Sequence, residues 1–185
     1  MAKTARHATA VLAAAGALLV VPRASAAADA AAKVVFTSTS HVRSASPAIA
    51  FLMARAAERS TTFRRLVQDI DASDSYVYVD EGECGRGVHA CFVSVTASRS
   101  QRFMWVKVDT NKADADVMGS IGHELRHTLE VISQPSVRSN AAKFFLYEGI
   151  GRRGTKGSRE TQAATDAGNA IRSEIQQFNR ETKSE

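Results

Sequence analysis

The stretch His123-Glu124-Leu125-Arg126-His127 constrains this chain more than any other. Two histidines four residues apart share one face of an α-helix, so both imidazoles can reach one metal ion, with the glutamate beside it to handle a water's proton. The pattern asks for a helix with a polar cluster on one side. The flanking residues fit: Asp114 or Asp116 is expected to cap the start, Pro135 to mark the end, and Ile121, Leu125, Leu129 and Ile132 to form an apolar stripe between them. His123, His127 and Glu130 fall on roughly the opposite face. Gly119 and Gly122 weaken a helix, and their placement just ahead of the motif suggests that a neighbouring element approaches closely there.

Residues 1–26 read as a signal peptide. Lys3 and Arg6 form a basic start, Ala8 to Val21 is an apolar run, and Ala24-Ser25-Ala26 is a small-residue cleavage pattern, which places the new N-terminus near Ala27. The run is short for a membrane span, and nothing later in the chain resembles one. Localisation is therefore expected to be secreted or periplasmic. The leader carries three of the 24 basic residues (Lys3, Arg6 and Arg23) and none of the 19 acidic ones, leaving 21 against 19. So balanced a charge, scattered rather than grouped, argues against a nucleic-acid partner. Residues 27–185 have the length of one domain, expected to be monomeric. Cys84 and Cys91 in an exported chain are expected to form a disulfide, worth about 2–3 kcal/mol for so short a loop.

The expected fold class is α+β: N-terminal helices, a small antiparallel sheet, the motif helix and C-terminal helices. Val34-Val35-Phe36 reads as an edge strand or a loose arm. Ser46 and Pro47 open a helix carrying Ile49, Leu52, Met53 and Ala56, and a break at Ser60-Thr61 precedes a second with Phe63, Leu66, Val67 and Ile70 inward. Three β-like runs follow, at residues 76–79, 88–96 and 102–108, most simply an antiparallel meander. After the motif come a helix at about residues 137–148, a Gly-rich loop and a final helix at about residues 159–178.

A catalytic zinc needs a third protein ligand and an open position for water. No histidine follows His127, so a downstream carboxylate is the economical choice. Glu160 is the first candidate, because it falls on one helical stripe with Ala164, Ala167, Ile171 and Ile175, where an unpaired carboxylate would be costly. Its plainer reading is a glutamate in the first turn of a helix capped by Ser158. Glu148 is the alternative, on a stripe with Ala141 and Phe145. Glu130 suits a role behind the histidines, orienting one of them. Tyr147 is a candidate oxyanion donor. His41 and His89 lie upstream and rank last.

The motif resembles that of the zincin metallopeptidases and, with a carboxylate as third ligand, of their gluzincin branch. The longer run Ile121 to Val131 also resembles secreted bacterial proteins of unassigned function with a GHELxHxxE pattern. The metzincin HExxHxxGxxH extension, its Met-turn and the NExxD glutamate motif of thermolysin-like enzymes are all missing. The resemblance implies an antiparallel sheet before the motif helix, zinc on His123 and His127, Glu124 as general base, and a peptide or protein substrate. By the same analogy, the strand at residues 102–108 would offer an edge to an extended peptide. The expected function is a secreted zinc peptidase. The competing expectation is a non-catalytic zinc-binding or interaction domain of the cell envelope.

Overall fold

The computed structural model describes residues 40–85, 87–154 and 159–184. The expected leader at residues 1–26, the run Val34 to Phe36 and the Ser158 cap lie outside them. The described fold is α+β, with five helices, a four-stranded mixed sheet and a two-stranded antiparallel sheet.

The first two helices begin where their caps place them. In α1 (Pro47–Arg59) the Ser46 hydroxyl accepts from the Ile49 N–H and proline takes the first turn, where its missing N–H costs nothing. Ser60 ends α1 and caps α2 (Thr61–Asp71), accepting from the Phe63 N–H. Phe63, Leu66, Val67 and Ile70 are buried as their spacing predicts.

The sheet is where expectation and structure part. Its strands are β1 (Val42–Arg43), β2 (Ser75–Glu81), β3 (Ala90–Ser98) and β4 (Gln101–Val108), in the order β1-β2-β4-β3. β3 and β4 form an antiparallel hairpin turning at Arg99, which has φ 52°. β2, however, runs parallel to β4 and does not touch β3, so the antiparallel meander is corrected to a mixed sheet. Burial explains the order. β4 buries Arg102, Met104, Val106 and Val108 on its inner face, whereas β3 fully buries Val95 alone and suits an edge. The connection from β2 to β3 is stapled by the Cys84–Cys91 disulfide, with Cα atoms 5.7 Å apart.

α3 (Asp114–Ile132) carries the motif. Its N-cap is Ala113 with no side-chain bond, and Asp114 and Asp116 sit in the first turn rather than at the cap, where they complement the helix dipole. Val117, Met118, Ile121, Leu125 and Val131 enter the core, so α3 is buried around most of its circumference and not along one stripe. Its C-terminus is held by Arg102 of β4. That guanidinium, 3% exposed, donates to the carbonyls of Val131, Ile132 and Gln134 and to Asp74 at 2.7 Å. Partial burial pushes the Asp74 carboxyl up, but hydrogen bonds from Arg102 and Ser75 more than offset this and hold it below its usual range.

Arg102→Met is expected to destabilise the fold by about 3 kcal/mol, because three helix-end carbonyls lose a charged donor. The Asp74 contribution is complete above the unfolded carboxylate value and lost as pH falls through the lower folded one. Denaturant titrations should therefore show a deficit that is largest near neutral pH and narrows in acid. A variant as stable as the parent at pH 7 would contradict this account of the helix end.

α4 (Asn140–Ile150) starts later than expected because Ser139 is its cap, and it buries only Tyr147. β5 (Arg152–Arg153) pairs antiparallel with β6 (Arg159–Glu160), and residues 155–157 of the expected Gly-rich loop lie outside the described residues. α5 (Gln162–Glu181) is capped by Thr161, whose hydroxyl accepts from the Ala164 N–H. Ala164, Ala167, Ile171 and Ile175 are buried, as their spacing requires. α3 and α5 pack closely: a Cβ on Gly122 would stand 2.0 Å from Ile171 Cδ1, and one on Gly119 2.4 Å from Arg172 Cγ. The motif glycines thus serve helix contact. Among the described residues, no helix is long and apolar enough to cross a membrane.

Candidate metal centre

α3 projects His123 and His127 from one face, with ring centroids 4.8 Å apart. The third member of the cluster is Glu160. Its Oε2 lies 2.8 Å from His123 Nε2 and 3.4 Å from His127 Nε2. These three side chains form a His–His–Glu group, their candidate ligand atoms all within 4.8 Å of one another, that could hold a metal ion.

Glu160 reaches this point by a different route from the expected one. It belongs to β6 and not to α5, so the helical stripe that singled it out does not exist at its position. Its neighbours hold it in place instead. Arg159 donates twice to Glu148, at 2.7 and 2.5 Å, which ties β6 to α4. Thr161 caps α5 and donates to Glu130 Oε1 at 2.6 Å, which ties the following residue to α3. Glu148, the alternative candidate, stands outside the His–His–Glu group and is engaged with Arg159.

Glu130 stands behind His127, its Oε2 2.9 Å from Nδ1. Burial acts to raise the Glu130 carboxyl, but hydrogen bonds from His127 and Thr161 prevail and hold it below its usual range. An ionised carboxylate only accepts, so His127 Nδ1–H is the donor and Nε2 is left facing Glu160. Burial also acts to lower the His127 pKa, yet hydrogen bonds to Glu130 and Glu160 raise it to about 9. The same convergence of carboxylates that favours a proton favours a cation, and two imidazoles with one carboxylate are donors that suit zinc. The residues fit a metal.

Glu124 is 6% exposed, and burial raises its carboxyl above the usual range, partly offset by the adjacent histidines. With His127 and Glu160 it lines a cavity of about 270 Å³ whose wall continues onto Phe92 of β3 and Lys143 of α4. Tyr147 also borders the cavity, edge-on to His127. Its hydroxyl donates to the His127 carbonyl at 2.8 Å, so the one proton it could offer an oxyanion is already engaged. Burial pushes that phenol well above its usual range, which keeps it a donor. Neither His41, tilted against the Tyr76 ring, nor His89, beside Asp109, joins the group.

The strand edge also differs from expectation. β4 lies between β2 and β3 and has no free edge; β3 is the edge strand beside the cavity. Residues on α4 already grip it. Asn140 accepts from the Val95 N–H at 2.9 Å, and Lys143 Nζ donates to the carbonyls of Phe92 and Val93, each at 2.8 Å, where a shift in register interrupts the strand. Sequence reasoning missed Asn140 and Lys143, and it missed Thr161, a threonine before a helical run that could have marked the true start of α5. No family model, curated protein or solved structure matches this chain.

Proposed function

We propose that this chain is an exported zinc-dependent hydrolase that cleaves peptide bonds, with His123, His127 and Glu160 as metal ligands and Glu124 as general base. The observation that carries the reading is one carboxylate oxygen of Glu160 close to the Nε2 atoms of both motif histidines, with Glu124 in the wall of the same cavity. A zinc ion in this group would supply Lewis-acid chemistry, lowering the pKa of a bound water and polarising a carbonyl. The remaining work falls to side chains. Glu124 takes a proton at its carboxylate and returns it to the departing amine. Glu130 fixes the tautomer and orientation of His127, and Arg159 and Thr161 hold the residue between them at the histidines. Glu124 is 6% exposed, which limits competing solvent. The leader-like start supports an exported location.

The test is incubation of the zinc-loaded chain with a broad peptide library, with cleavage sites read by mass spectrometry. Cleavage that disappears on chelation and returns with zinc is the expected result. A library left intact by fully loaded protein would overturn the reading and favour a zinc-binding domain without catalysis.

A further inference from the structure

Lys143 is a cation whose placement the proposed chemistry does not use. Arg55, Arg102, Arg159 and Arg172 each pair with a carboxylate: Asp114, Asp74, Glu148 and Asp116 respectively. Among the described residues Lys143 has no such partner. Two of its ammonium protons go to the carbonyls of Phe92 and Val93, and among the described residues the third has no acceptor. The group is half-buried in the wall of the metal cavity, with Nζ 4.4 Å from the centre of the Phe92 ring. Burial lowers its pKa to about 8, partly offset by Glu124, so it still carries its charge at neutral pH.

Holding a half-buried charge in such a wall with no carboxylate in direct contact is costly, and a ligand that brings one relieves the cost. Val88, Ala90, Phe92 and Phe144 make much of the surrounding wall apolar. Of the nearby carboxylates, Glu160 belongs to the His–His–Glu group, and Glu124 is the proposed general base. Arg159 also lines the cavity but is paired with Glu148, so among the described residues Lys143, anchored by two carbonyl bonds, is the lining side-chain cation left for a ligand beside the reacting centre. That combination suits a carboxylate carried on an apolar body.

Resting on the hydrolytic reading of the site, we propose that Lys143 recognises a substrate carboxylate and makes the site selective for peptides that present one beside an apolar residue. The carboxylate can come from a peptide C-terminus or from an acidic side chain, and the two sources are separable by experiment.

Binding is measured by calorimetry on the zinc-loaded Glu124→Gln chain, so that no turnover intervenes. Three probes are compared: N-acetyl-Ala-Phe with a free C-terminus, its C-terminal amide, and N-acetyl-Ala-Glu amide. At least one of the two carboxylates should bind about 10-fold or more tighter than the Phe amide. Preference for the first identifies a C-terminal carboxylate, and preference for the last an acidic side chain. Adding Lys143→Met or Lys143→Gln should erase the difference while zinc content stays at one per chain. Two variants guard against a folding defect in either, and melting curves report it. Equal binding of all three probes by the chain that keeps Lys143 overturns the proposal without any variant. A preference that persists in both Lys143 variants overturns it too, because the metal or Arg159 would then hold the carboxylate. Carboxylate-selective binding by a chain that cleaves no peptide would instead count against the hydrolytic reading.

Discussion

Glu124→Gln is expected to fold, to keep its zinc and to lose peptide hydrolysis by about 10²–10⁴-fold. The substitution preserves shape in a side chain that is 6% exposed, so packing around α3 is undisturbed. It exchanges a group that can take up a proton for an amide that cannot. The metal ligands are other residues, so metal content should remain at one per chain. Burial already disfavours the Glu124 carboxylate, which makes a neutral replacement easy to accommodate. The informative comparison is activity against metal content in one preparation. Full activity in the zinc-loaded variant would remove Glu124 from the chemistry, whereas loss of metal together with activity would mean that it helps to hold the ion.

Glu160→Gln is the second large effect. If Glu160 is the third ligand, its loss should weaken zinc binding by more than about 100-fold, beyond the range usual for an outer hydrogen-bonding partner. Glu130→Gln should then cost about 10–100-fold, because it leaves His127 as a ligand but removes the carboxylate 2.9 Å from Nδ1. Glu148→Gln should change zinc affinity least, because Glu148 reaches the site only through Arg159. Competition against a chromophoric chelator gives all three values. The order Glu160, Glu130, Glu148 is the prediction. An intact Glu160 variant beside a zinc-deficient Glu148 variant would reverse the ligand assignment.

These residues also show which parts of the molecule were legible in the sequence. Caps and helical spacing are local, and so α1, α2 and the body of α3 lie where Ser46, Ser60 and the motif place them. The two histidines and the partnership of Glu130 with His127 follow from i, i+3 and i, i+4 geometry alone. Glu160 was legible as a residue but not for the right reason. The apolar period of α5 can be extended backwards through Arg159 and Glu160, and only the Thr161 cap stops it. Strand order was not legible, because β3 and β4 both alternate, and which of them lies beside β2 depends on a path across the sheet. Lys143 and Asn140 were not legible either. Their roles exist only because α4 lies along the edge of β3, a contact distant in sequence with no periodic signature.

X-ray absorption at the zinc edge, on protein loaded with one equivalent of zinc, tests the central claim most directly. The expected first shell holds two imidazole nitrogens at about 2.0–2.1 Å and carboxylate and solvent oxygen at about 2.0–2.2 Å, without sulfur. Glu160→Gln should alter this shell and Glu148→Gln should not. Failure to bind zinc, or a shell that is unchanged when His123 and His127 are both replaced by alanine, would contradict that claim.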